Sequence, residues 1–182
     1  MEKCEHIIVD ANTSWKPEHF QKFCQLLEES QMSKDKIMYI EQPFDLEISE
    51  LEEWEKIKEK SPIKIMADES CRNEKDFEKL KKVAHAVNIK TEKTGGLCNT
   101  LKAIDEAQKA GFEVMLGTMV TTNLGCTQTF QMHPLVRFFD IDGSLLVNDP
   151  NPVGGFIWGK GGCVTPFQSG NGLRIECPVL FK

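Results

Sequence analysis

Ile63-Lys64-Ile65-Met66-Ala67-Asp68-Glu69-Ser70 is the stretch whose reading decides the fold. Its apolar run is too short for a helix and stops at two carboxylates and a hydroxyl, which is the pattern of a buried strand emerging into a polar loop. The same pattern lies on both sides. Upstream are Ile7-Ile8-Val9-Asp10-Ala11-Asn12 and Ile37-Met38-Tyr39-Ile40-Glu41-Gln42-Pro43; downstream is Ala86-Val87-Asn88-Ile89-Lys90. Asp10, Glu41, Asp68 and Lys90 therefore each stand at the C-terminal end of an apolar run.

Longer segments with helical spacing separate these runs. The spacing predicts helices over Pro17–Ser30, Ser49–Lys60, Glu74–Val83 and Leu97–Ala110, with Pro17 in a first turn and Ser49 with Glu52 as a capping box. Expected inward stripes are Phe20, Phe23, Leu26 and Leu27; Ile48, Leu51, Trp54 and Ile57; Phe77, Leu80 and Ala84; and Leu97, Leu101, Ile104 and Ala107. A fifth strand at Phe112–Gly117, a weaker helix over Leu124–His133 and a sixth strand at Val136–Ile141 follow. Six strand–helix units in series predict an α/β fold with a parallel sheet, most of a (β/α)8 barrel. A barrel of this kind gathers its functional side chains at the C-terminal strand ends. An open doubly wound sheet is the alternative, but no G-x-G-x-x-G is present. After Asp142 the chain turns glycine- and proline-rich, so residues 1–142 read as the barrel part and 143–182 as a loop-rich C-terminal tail.

The 182 residues suffice for one sizeable core. A net charge of -6 with mixed acids and bases excludes a basic nucleic-acid-binding face. No apolar run approaches the roughly 18 residues of a membrane span, and Met1–His6 lacks the apolar core of a signal peptide. The seven cysteines, Cys4, Cys24, Cys71, Cys98, Cys126, Cys163 and Cys177, form no C-x-x-C pair. They read as reduced thiols of a cytoplasmic chain. Gly154–Lys160 resembles a phosphate-binding loop, but Gly161 replaces the required Ser/Thr and no strand precedes it.

Three acids on consecutive parallel strands, about 4.8 Å apart, converge on one point. They repel unless a cation lies between them, and all-oxygen donors favour Mg²⁺ or Mn²⁺ over zinc. A lysine beside such a cation loses solvation and becomes a better base. The pair suits removal of a proton α to a carboxylate. Lys90 is the candidate base, with Lys93 as its rival. Asp140 and Asp142, spaced by two, can face one way and attract a substrate ammonium group; a polar strand end entering a turn at Gly143 is the other reading. Taken alone, each acid would read as a helix cap; three in register, each after an apolar strand, favour the shared cation.

Asp10-Ala11-Asn12, Glu41-Gln42-Pro43, Ala67-Asp68-Glu69-Ser70 and Asn88-Ile89-Lys90-x-x-Lys93-x-Gly95-Gly96 together resemble the enolase superfamily, muconate-lactonizing-enzyme subgroup. The resemblance implies a partial TIM barrel comprising strands 3 to 8. It implies Asp10, Glu41 and Asp68 as ligands of one Mg²⁺ and Lys90 as one of two acid/base lysines. Asp140-Ile141-Asp142 is similar to the D-x-D of dipeptide epimerases of the L-Ala-D/L-Glu type, where it holds the α-ammonium group of a dipeptide. Gly117-Thr118-Met119 matches their G-[CST]-M, which implies substrate contact by Thr118. Thr121 stands where many relatives carry Glu. The expected activity is Mg-dependent epimerisation or racemisation of a dipeptide or amino-acid derivative. Only nine residues precede Asp10. The capping domain on which the tail would pack, the first two barrel strands and the K-x-K that carries the other lysine have no counterpart there. The activity is therefore expected to be incomplete in this chain alone, with self-association or a complementing N-terminal chain supplying the rest. An inactive half-barrel acting as a binding or assembly fragment, and a muconate-cycloisomerase-like enzyme, are the alternatives.

Overall fold

The computed structural model describes residues 6–30, 36–45, 51–148, 156–158 and 164–166. Strands and helices alternate: β1 (Ile7–Asp10), α1 (Pro17–Glu29), β2 (Ile37–Glu41), α2 (Leu51–Lys60), β3 (Lys64–Ala67), α3 (Phe77–Val83), β4 (Ala86–Lys90), the short α4 (Thr91–Thr94), α5 (Leu97–Lys109), β5 (Glu113–Gly117), α6 (Asn123–Phe130) and β6 (Phe138–Asp140). The six strands form one sheet in chain order, β1 to β6. The pairings β1–β2, β2–β3, β3–β4 and β5–β6 are parallel. This is the α/β class and strand series the sequence predicts. β7 (Phe156–Trp158) and β8 (Val164–Pro166) pair antiparallel in a sheet of their own. The Ser49 capping box, Ile48, most of the loop-rich tail and the glycines of the phosphate-loop-like stretch lie outside the described residues. No described helix is long and apolar enough to cross a membrane.

The chain divides into two compact units, Met1–Ile89 with Lys102–Val114, and Lys90–Leu101 with Met115–Lys182. In the first, β2 to β4 are buried on both faces, with Ile40, Ile65, Ala86 and Val87 fully inaccessible. Two-sided burial is what near-continuous apolar strands require. Trp54 of α2 anchors the helical layer. It lies against Phe44 with ring centroids 3.9 Å apart and planes tilted by 31°, and meets Phe20 of α1 edge-on at 5.8 Å. Phe77 and Phe112 pack at 5.7 Å. The second unit has a smaller centre of Cys126 and Ile141 with Phe130 against them. Phe130 also stacks on His133 and meets Phe139 edge-on.

Several expectations need correction. Leu26 of α1 is half exposed, so the inward residues there are Pro17, Phe20 and Leu27. In α5, Leu97 and Leu101 are 39% and 45% exposed, while Thr100, Ala103, Ile104 and Ala107 are buried. A helix against a sheet places its small residues at the closest approach, and a buried threonine can satisfy its hydroxyl within the helix. Thr100 does so by donating to the Gly96 carbonyl. The third helix starts as a 3₁₀ turn at Glu74–Asp76, capped by Asn73 accepting from the Lys75 N–H at 3.1 Å. The last strand is only Phe138–Asp140.

The N-terminal strand ends of the first unit carry a polar network. The Tyr39 hydroxyl donates to Glu113, which also pairs with Lys64. Beside them the His85 Nδ1 accepts from the Ile65 N–H at 3.1 Å, so the ring is neutral there. Burial, reinforced by Lys58 and Lys64 and opposed by Glu113, holds His85 below the ordinary histidine value of 6.5. A base whose folded pKa is depressed is under-protonated relative to the unfolded chain. Its stabilising contribution is complete above pH 6.5 and falls as the pH drops below that value. We expect Tm to decline from about pH 7 to about pH 5. His85→Asn, whose amide oxygen can take over the Nδ1 acceptor role, should flatten that decline; an unchanged slope in the variant would remove His85 as its cause.

Candidate active site

In the first unit the register brings the predicted acids to neighbouring strand ends. Asp10 is paired with Glu41, and Glu41 with Met66, so Asp68 follows β3 two residues past that level. Paired residues of parallel strands share a face, and faces repeat every second residue. Met66 is paired with Ala86, so Asn88 returns to the face of Glu41 and Met66. The Asn88 Nδ2 accordingly reaches the Glu41 Oε1 at 2.8 Å, two strands away. Glu41, Asp68 and Asn88 are 5%, 4% and 2% exposed.

The loops that leave these strands are tied together through their backbones. Ala11 N donates to Glu41 O at 3.0 Å, Thr13 N to Gln42 O at 2.7 Å and Trp15 N to Pro43 O at 2.9 Å. Asn12, Thr13 and Gln42 have φ of 43°, 60° and 34°, in the left-handed region that non-glycine residues rarely adopt. No other described non-glycine residue has a positive φ. Such conformations cost on the order of 1–3 kcal/mol each and gather where a site fixes its backbone.

Two buried carboxylates beside a third suit a hard divalent cation by donor chemistry: all are oxygens, and like charges at strand spacing repel by about 3 kcal/mol at an effective dielectric of about 20. Asp10 is exposed, and its Oδ1 accepts from the Asn12 N–H at 2.9 Å. As the side chains are placed, no three Asp, Glu, His or Cys residues among those described stand close enough to share an ion. The donor types suit such a cation, and the Asp10 carboxylate is engaged by its own loop.

The second unit holds the remaining candidates. Lys90 ends β4, half-buried, and leads directly into α4, which Gly95 closes at φ 85°. Lys93 lies on α4, also half-buried. Gly117 is paired with Asp140 across β5 and β6, which places Thr118 and the D-x-D segment at adjoining strand ends. Gly143 makes this approach possible. A Cβ there would lie 2.1 Å from the Met119 carbonyl oxygen and 2.9 Å from the Thr118 Oγ1. Asp140 and Asp142 are both exposed on either side of buried Ile141. The strand alternation expected between them stops at Asp140, because Ile141 has ψ 30° and Asp142 opens a 3₁₀ turn to Leu146.

Sequence reasoning passed over Gln42 and Asn88. Each had a signal: an amide side chain next to, or within, an apolar run that is buried on both faces must find partners.

Against known proteins, the enolase C-terminal domain-like family model matches residues 2–177. The chain belongs to that family. It is 36% identical over 145 residues to an L-Ala-D/L-amino acid epimerase of Pedosphaera parvula, covering 78% of this chain and 40% of that protein. It superposes with a TM-score of 0.75 and 33% identity on an enolase family member from Agrobacterium tumefaciens with homology to dipeptide epimerases, solved with sodium and L-Ala-L-Glu; the match covers 90% of this chain and 47% of that one. A dipeptide epimerase from Cytophaga hutchinsonii, complexed with Mg and D-Ala-L-Val, gives a TM-score of 0.74 at 28% identity, covering 88% and 43%. The fold is therefore part of the enolase-type (β/α) barrel. The chain spans less than half the length of the curated relatives it matches first.

Proposed function

We propose that this chain carries the cation-binding and one acid/base half of a dipeptide epimerase. The observation that supports it most is the register of Asp10 with Glu41, with buried Asp68 at the next strand end and, among the described residues, left-handed non-glycine backbone only in the loops after β1 and β2. Asp10, Glu41 and Asp68 would hold one Mg²⁺. When bound, the cation supplies positive charge to the substrate carboxylate as its α-proton leaves.

Lys90 takes that proton from one face of the α-carbon and returns it there. Its place at the end of β4, between a buried strand and the turn that Gly95 closes, fixes the backbone from which the amine reaches the substrate. Asp140 and Asp142 attract the α-ammonium group of a dipeptide, and Thr118 contacts the substrate. Their mutual placement rests on Gly143 against Thr118 and Met119. An ammonium-binding pair favours dipeptides over purely anionic cycloisomerase substrates. Inversion needs an acid on the opposite face, a second lysine supplied by a partner segment or chain. Exposed Val120, Leu145 and Leu146, 64%, 61% and 69% accessible, favour such association. In this reading residues 1–142 are the barrel part and 143–182 the tail that packs on a capping domain. We place the chain in the cytoplasm, where thiols such as those of Cys24, Cys71, Cys98 and Cys126 stay reduced.

The test is α-proton exchange of L-Ala-L-Glu in D2O with Mg²⁺, followed by NMR. We expect exchange that Lys90→Ala lowers by at least about 100-fold. Exchange with retention means one lysine acts alone; D-product means a second is supplied. Mg-dependent exchange persisting in Lys90→Ala contradicts the assignment.

A further inference from the structure

Gln42 lies one residue past β2, where strand alternation would turn its side chain away from the face of Glu41. Instead its φ of 34° redirects it, and the side chain is 1% exposed. All the hydrogen-bonding capacity of its amide is used. The Oε1 accepts from the Asp68 N–H at 2.7 Å and the Ser70 N–H at 3.2 Å. The Nε2 donates to the Ser70 Oγ at 2.8 Å and to the Phe44 carbonyl. Asp68 is thereby tied at both backbone groups, since its own carbonyl accepts from the Cys71 N–H at 2.8 Å. One amide thus fixes the turn that carries Asp68 to the residue that follows Glu41.

An unstrained turn needs no such clamp, and a clamp made only for stability needs no left-handed residue. A buried glutamine that holds a left-handed backbone and binds the N–H of a neighbouring strand's terminal acid sets the relative position of two carboxylates. From this we infer that Gln42 is the positioning residue of the cation site: its Oε1 sets Asp68 against Glu41 in the spacing one divalent ion requires. This rests on the cation reading above. It adds a residue that donates no ligand yet controls affinity, as outer partners of metal ligands do.

The experiment measures Mn²⁺ binding to the full 182-residue chain by electron paramagnetic resonance, with circular dichroism as a check on folding. Gln42→Met keeps the volume and removes every hydrogen bond. We expect it to weaken Mn²⁺ binding about 10- to 100-fold, with the wild-type bound-Mn²⁺ spectrum recovered at proportionately higher Mn²⁺. Gln42→Glu keeps an oxygen facing the Asp68 and Ser70 N–H groups and, as the protonated acid its burial enforces, still donates to the Phe44 carbonyl; it should stay within about threefold of wild type and carries the test if Gln42→Met does not fold. Wild-type affinity in Gln42→Met, or a tenfold or larger loss in Gln42→Glu, overturns the positioning role and leaves the cation site standing. A wild-type chain that binds no Mn²⁺ overturns the cation reading, and the role of Gln42 with it.

Discussion

Glu41→Gln lowers the affinity of the chain for Mn²⁺ by more than about 100-fold, beyond what losing an outer partner of a metal ligand costs. The side chain is buried and centrally placed. Its residue is in register with Asp10 on one side, and it accepts from Asn88 on the other. The glutamine has the same size, and its amide oxygen can still accept from Asn88, so the fold is retained while the ligand charge is lost. Isothermal titration of both proteins with Mn²⁺ measures the ratio directly. A ratio near one means that Glu41 is a structural carboxylate and that the divalent ion binds elsewhere.

Trp54→Ala destabilises the chain by about 3–5 kcal/mol, a fall in Tm of roughly 10 °C for a chain of this size. Trp54 is 2% exposed, and its ring lies against Phe44 and Phe20. Removing it opens a cavity that two aromatic neighbours cannot close without leaving their rotamers. The effect should reach the site, because the Phe44 carbonyl accepts from Gln42. Leu101→Ala is the control. Although apolar and at helical spacing, Leu101 is 45% exposed, and its truncation should cost less than about 0.5 kcal/mol. Thermal unfolding of the two variants checks both statements; a loss below about 1 kcal/mol for Trp54→Ala contradicts the packing described.

The contrast between Trp54 and Leu101 shows where a sequence is legible. Strands buried on both faces write their limits as unbroken apolar runs, so Ile37–Glu41 and Ala86–Lys90 are readable to the residue. Helix faces are harder. In α5 the apolar spacing picked out Ile104 and Ala107, which are buried, but passed over Thr100 and Ala103, which are buried too. The acids were visible because each ends an apolar run. The amide of Gln42 beside an apolar run signalled a need for partners, but its role was not legible, because it depends on a left-handed backbone and on N–H groups more than twenty residues away. The D-x-D segment was visible as a pair of acids, but its 3₁₀ turn and its dependence on Gly143 arise from packing against Thr118 and Met119.

We propose that Asp10, Glu41 and Asp68 share one divalent cation. Anomalous diffraction from crystals of the chain grown with Mn²⁺ locates the ion and its ligands. We expect one strong peak bound by all three carboxylates, with the Asp10 side chain turned away from the Asn12 N–H. A Mn²⁺ peak held by other residues, with Glu41 and Asp68 taking no part, would contradict it.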